Sequence, residues 1–166
     1  MSPATVRDIR LVSRQLGRPA RDVIGIAARC VCGAPTVVAT APRLSDGTPF
    51  PTLYYLSHPA ATAAISQLEA TGVMAEFTAL LAADDALANA YLAAHQEYLR
   101  DRERFRVVPE IAGVSAGGMP HRVKCLHALA AHALAVGPGR NPIGDLALAR
   151  ADWSAAVCQC VPYPPE

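Results

Sequence analysis

Aromatic side chains are scarce in this chain, at 5% of its 166 residues. A core with few rings must be filled by alanine, leucine and valine, which favours close-packed helices. Charge is also thin: 17% of residues are charged against 52% hydrophobic, a balance that excludes an intrinsically disordered chain. A formal net charge of +1 offers no global attraction for nucleic acid or anionic lipid. No nucleic-acid partner is expected, and any anion site must be local. An apolar secretion-signal core is missing, because Arg7, Asp8, Arg10 and Arg14 stand where one would lie. The long uncharged run from Gly47 to Leu68 is broken by Pro49, Pro51 and Pro59, and in lipid each break frees backbone groups that need other partners. The expectation is a cytoplasmic protein with no membrane span. Five cysteines, an odd number, then fit metal ligation or buried thiols better than a disulfide framework.

The length suits one domain with a single sizeable core. The reading is a single domain over residues 1–166, with its core at about 4–156 and a proline-rich tail at 157–166. Ser2 is placed to cap a first helix, with Val6, Ile9, Val12 and Leu16 as its apolar stripe and Gly17 as its stop. Val23 to Ala28 reads as a short strand. Thr36 to Thr40 and Thr52 to Leu56 form a long hairpin around Asp46-Gly47. Helices follow from Pro59 to Gly72, from Val73 to Ala82, and from an Asp84 cap to about Arg104. Two more are predicted, one opened by Pro120 and closed by Gly137, the other from Asp145 to about Ala156. The fold class is therefore α+β, a small antiparallel β-hairpin sheet packed against several α-helices.

Thiols and imidazoles carry the chemistry. Cys30 and Cys32 precede the first hairpin strand and His58 follows the second, so all three fall near the hairpin's open end. Thiolate and imidazole are zinc ligands, and turns at strand ends leave freedom to aim them. On a helix opened by Pro120, residues advance about 100° each. Cys125 and His132 then lie within about 40° of His121, whereas His127 falls near 240°. Cys30, Cys32, His58, Cys125 and His132 are thus the candidate metal ligands, with zinc as the expected cofactor. His127 is expected to orient another group or to bond a backbone carbonyl. Cys158 and Cys160 sit in the tail, where termini are often loose, and stay outside the set. His95 reads as an ordinary structural histidine.

Gly113, Gly117 and Gly118 precede the same predicted helix, and Arg122 and Lys124 follow. Free N–H groups and the helix dipole would favour a phosphate or carboxylate there, which makes Gly117, Gly118, Arg122 and Lys124 a candidate anion site. Neither a Walker pattern nor a dinucleotide fingerprint is present. Gly113 to Gly117 formally matches Gly-x-Ser-x-Gly, but no strong strand leads into Ser115 and the last histidine, His132, precedes Asp145. A serine hydrolase is excluded on that order.

The strings RCVCG, PRLSDGTPFPTLYYLSHP and SAGGMPHRVKCLHALAAHALAVGPGRNPIGD resemble the bacterial, mainly actinobacterial, domain-of-unknown-function 501 family, from about Leu16 to Asp145. The resemblance implies a small cytoplasmic protein, typically encoded beside a septum-formation protein and an exopolyphosphatase. It implies no particular activity. Relatives often have proline where this chain has Val31 and cysteine where it has His58, an exchange that would keep a zinc ligand. The leading expectation is a small metal-binding protein, accessory to cell division or polyphosphate metabolism. One alternative is an enzyme acting on a phosphorylated small molecule through Cys125 or a metal-bound water. Another is an adaptor for a division or polyphosphate protein.

Overall fold

The computed structural model describes residues 1–161. In chain order these form α1 (Val6–Leu16), β1 (Val23–Arg29), β2 (Pro35–Thr40), β3 (Tyr54–Leu56), α2 (Pro59–Ala70), α3 (Val73–Ala83), α4 (Asp85–Glu103), α5 (Leu126–Val136) and α6 (Pro142–Arg150). The arrangement is α+β in a single domain, as the pattern predicts. Residues 162–166 of the expected tail lie outside the described residues. No helix among the described residues is long and apolar enough to cross a membrane.

The sheet is antiparallel with order β1-β2-β3, and β2 is buried along its whole length. Val37 faces Leu56, Val38 faces Tyr55 and Ala39 faces Tyr54. Side chains alternate between faces of a strand, so Val37, Ala39, Tyr54 and Leu56 join the main core under the helices. Val38 and Ile26 point the other way and pack with Val12 of α1. Both faces are covered. Phe77, Tyr91 and Tyr98 are wholly buried, and Ala130, Ala131 and Ala147 share their core.

α1 is capped by Thr5 rather than Ser2. The Thr5 hydroxyl accepts the Asp8 N–H, and the Asp8 carboxylate accepts the Thr5 N–H in return. Ser2 instead exchanges backbone hydrogen bonds with Ile26 of β1. Asp8 also takes the Arg29 guanidinium at 2.6 Å, which pins α1 to β1 and holds that carboxyl well below the usual carboxylate range.

Two predicted helices are displaced. α6 begins early because Asn141 accepts the Gly144 N–H at 2.9 Å and Pro142 fits the first helical position. α5 begins at Leu126, not Pro120. The Gly117 carbonyl accepts the N–H groups of Lys124 and Cys125, seven and eight residues on rather than the helical four. The Val123 N–H goes to the Thr78 hydroxyl at 3.1 Å. Backbone groups spent on these contacts cannot wind a helix through residues 120–124.

One buried cation organises the connection between α4 and α5. Arg102 is 2% exposed and donates to the carbonyls of Pro51, Ile111 and Val114. It thereby fastens both the 105–119 segment and the β2–β3 connection to α4.

Candidate metal centre

Cys30 and Cys32 stand on the tight turn between β1 and β2. That turn is closed by Cys30 N–H to Ala34 O at 2.9 Å and Gly33 N–H to Cys30 O at 2.8 Å. Gly33 takes φ +87°, a conformation that other residues rarely adopt. From α6 the chain returns to this turn past Trp153, which is buried and rests against the His58 ring with centroids 5.6 Å apart. It then delivers Cys158 and Cys160. The sulfurs of Cys30, Cys32, Cys158 and Cys160 all lie within 4.8 Å of one another, and Cys32 and Cys160 are 3.4 Å apart.

These residues fit a metal ion. A tetrahedral shell with metal–sulfur bonds of about 2.3 Å holds its sulfurs roughly 3.8 Å apart. All five cysteines are free, so no disulfide competes for the sulfurs. The Ala34 backbone, and less strongly the neighbouring thiols, draw the Cys32 thiol down to about 7, while burial pushes Cys160 up. The Cys32 proton thus leaves readily while those of Cys158 and Cys160 are held back, a pattern that a cation would reverse.

His58 lies behind this set. Its Nδ1 caps α2 by accepting the Ala61 N–H, which leaves the proton on Nε2. Nε2 is 3.2 Å from the Cys160 sulfur, so His58 points its proton at that sulfur and keeps no free lone pair toward the cluster. Burial lowers its basicity.

The remaining expected ligands are elsewhere. Cys125 is the residue ahead of α5 and groups with Glu69 and His127, not with Cys30. The shared face argued for Cys125 and His132 needed a helix from Pro120, and the late start of α5 removes it. His132 is fully buried, stacked on Tyr54 and edge-on to Tyr98, with Nδ1 3.1 Å from the Asn141 amide nitrogen. It is a core residue. Cys158 and Cys160 were missed because a tail was assumed loose. The signals were a second Cys-x-Cys pair and a lone tryptophan able to anchor it.

Burial lowers the pKa of His132 from 6.5 to about 4. An unfolded chain takes up this proton below about 6.5, whereas the folded one resists until about 4. The contribution is therefore complete above 6.5 and is lost as pH falls through that window. In urea unfolding, wild-type protein should lose about 2–3 kcal/mol more than His132→Gln between pH 6.5 and 4.5. Parallel pH profiles for the two proteins would remove His132 from this role.

The expected anion site also changes character. Gly117 and Gly118 do not lead into a helix. A Cβ on Gly117 would meet the Leu129 side chain at 2.5 Å, so its glycine serves close packing against α5. Arg122 and Lys124 are exposed on the intervening loop. At the true start of α5 the Leu126 N–H is already taken by the Glu69 carboxylate at 2.6 Å. The protein supplies its own anion there. Ser115 is buried and bonds His95 Nδ1 at 2.8 Å, so this pair fastens the loop to α4. A mixed-charge cavity of about 280 Å³ lies beside α1, lined by Arg18, Arg21, Asp22 and Asp46 among others, and neither cysteine group borders it.

Fold and cluster together define an α+β protein with a four-cysteine cluster that could hold a metal ion. The chain belongs to the family described as protein of unknown function (DUF501), whose model matches residues 26–149. That segment includes Cys30, Cys32 and His58 and stops short of Cys158 and Cys160. No curated protein and no solved structure matches the chain.

Proposed function

We propose that this is a small zinc protein in which the metal clips the β1–β2 turn to the segment after α6. The observation that carries the reading is the meeting of Cys30, Cys32, Cys158 and Cys160 within 4.8 Å, from opposite ends of the sequence. Four thiolates complete a tetrahedral shell and leave no open position for water, so the metal's role is structural. A cytoplasmic location, and service beside a division or polyphosphate protein, belong to this reading and rest on the family resemblance alone. The phosphate-handling alternative draws no support from the start of α5, where Glu69 occupies the slot that a phosphate would need.

Elemental analysis of untagged protein tests the proposal. About one zinc per chain is expected, falling to a small residue in Cys32→Ser and Cys160→Ser. His58→Ala should keep its zinc at full loading but bind it about 10–100-fold more weakly, because it removes a donor to a ligand and not the ligand itself. Full zinc retention in both cysteine variants would defeat the assignment. Iron in place of zinc would keep the site and change the metal.

A further inference from the structure

A second group of reactive side chains lies outside the cysteine cluster. Thr62, Ser66 and Glu69 follow one another along a face of α2 at helical spacing, and this face meets the start of α5. Glu69, Cys125 and His127 have their donor atoms within 4.8 Å of one another, and all three side chains are partly exposed.

The protons can be placed from the partners. His127 Nε2 is 3.2 Å from the Thr62 carbonyl oxygen, which can only accept, so Nε2 carries a proton. Its Nδ1 is 3.3 Å from the Glu69 carboxylate, a neighbour that favours a second proton there. An imidazole with both protons is a cation and has no lone pair for a metal. Glu69 is in turn fixed by the Leu126 N–H at 2.6 Å. Beside this cation the Cys125 thiol is drawn down, with His127 the largest cause, and His127 is itself raised, with Cys125 the largest cause. Cys125 also precedes the first turn of α5, whose dipole favours negative charge.

We propose that Cys125 is a nucleophilic thiolate, paired with the His127 imidazolium and braced by Glu69, that exchanges with low-molecular-weight disulfides. Glu69 fills the slot that would attract a phosphate, so the partner is an electrophile at sulfur. In the exchange the Cys125 sulfur attacks one sulfur of the disulfide. A new S–S bond forms as the old one breaks, and the departing thiolate takes a proton from His127 or water. Cys125 is oxidised to a mixed disulfide while half of the small disulfide is reduced to a thiol, so electrons balance. The other four cysteines are gathered in the separate cluster, and the reaction stops at the mixed disulfide.

The test uses full-length protein as purified, with oxidised glutathione and iodoacetamide as probes and peptide mass mapping as the readout. Oxidised glutathione should give an adduct on Cys125, reversed by a thiol reductant. The pH midpoint of Cys125 alkylation should lie below the ordinary thiol value of about 8.5. His127→Ala and Glu69→Gln should move that midpoint up, and His127→Ala should slow alkylation at pH 7 about tenfold. His127→Gln provides a second, better-packed variant should the alanine protein fold poorly. A midpoint unchanged by either His127 variant would overturn the proposal, as would adducts that spare Cys125. So would a Cys125 protected until a chelator is added, together with loss of a second metal ion in His127→Ala, for these residues would then be metal ligands. Without zinc the exposed cluster thiols would add adducts of their own, but the Cys125 adduct and its pH midpoint are read on a separate peptide, so the two readings fail separately.

Discussion

Stripping the metal from the cysteine cluster should lower the thermal midpoint by about 8–16 °C without abolishing the fold. An ion held at a thousandfold excess over its Kd adds about 4 kcal/mol to the native state, and each kcal/mol moves the midpoint of a chain this size by about 2–4 °C. The main core does not pass through the cluster: Phe77, Tyr91, Tyr98, Leu126 and Leu129 are buried among helices that need no ligand. The metal-free protein should therefore stay helical by circular dichroism while the segment after α6 loosens. Trp153, the only tryptophan, is buried against His58 and reports on that segment directly. Its emission should shift to the red, and limited proteolysis should begin cutting beyond Arg150. Protein proven metal-free, yet unchanged in midpoint, emission and cleavage, would show that the cluster contributes nothing to the fold.

Arg102→Met should cost about 3–5 kcal/mol. Arg102 donates to three backbone carbonyls, and a buried acceptor left without a donor costs about 1–3 kcal/mol. Methionine preserves much of the volume, so the loss isolates hydrogen bonding from cavity formation; Arg102→Ala should be worse. Burial already lowers the basicity of this guanidinium, consistent with a cation held by dipoles rather than by a carboxylate. The urea midpoint at constant slope is the measurement. A loss below about 1 kcal/mol would mean that other donors replace the guanidinium and that the 105–119 segment does not depend on it.

Local signals foretold much of the fold. Pro59 and Asp84 marked the helix starts where they occur, and the β-branched run from Thr36 to Thr40 marked a strand. The start of α5 was hidden because Pro120 and the glycines mimic a helix entry. Besides the Gly117 carbonyl, the contacts that hold this segment come from Thr78, which accepts the Val123 N–H, and Tyr91, whose hydroxyl donates to the Arg122 carbonyl, both far away in sequence. That single displacement misdirected the reading of Cys125 and His132, since angles around an axis mean nothing before the helix begins, whereas His127 does meet a backbone carbonyl, that of Thr62. Cys30 and Cys32 were legible from their turn. Their partners were not, because nothing in the spacing of Cys158 and Cys160 says where the tail goes; only the burial of Trp153 does. Arg102 was equally hidden, lying in a charged run that reads as a solvated face.

The joining of Cys32 to a residue 128 positions later has a consequence for synthesis. A ribosome adds roughly 5–20 residues per second, so the first pair of thiols waits on the order of ten seconds for the second. Until then a metal ion finds only half a site, and the emerging sheet and helices must fold around an unfinished turn. In the reading proposed above, capture of a metal by all four thiols must therefore wait until Cys160 has been translated. Only chains translated through Cys160 can be locked, and a chain truncated before it, however well its core has packed, is left with a loose end for a protease to find.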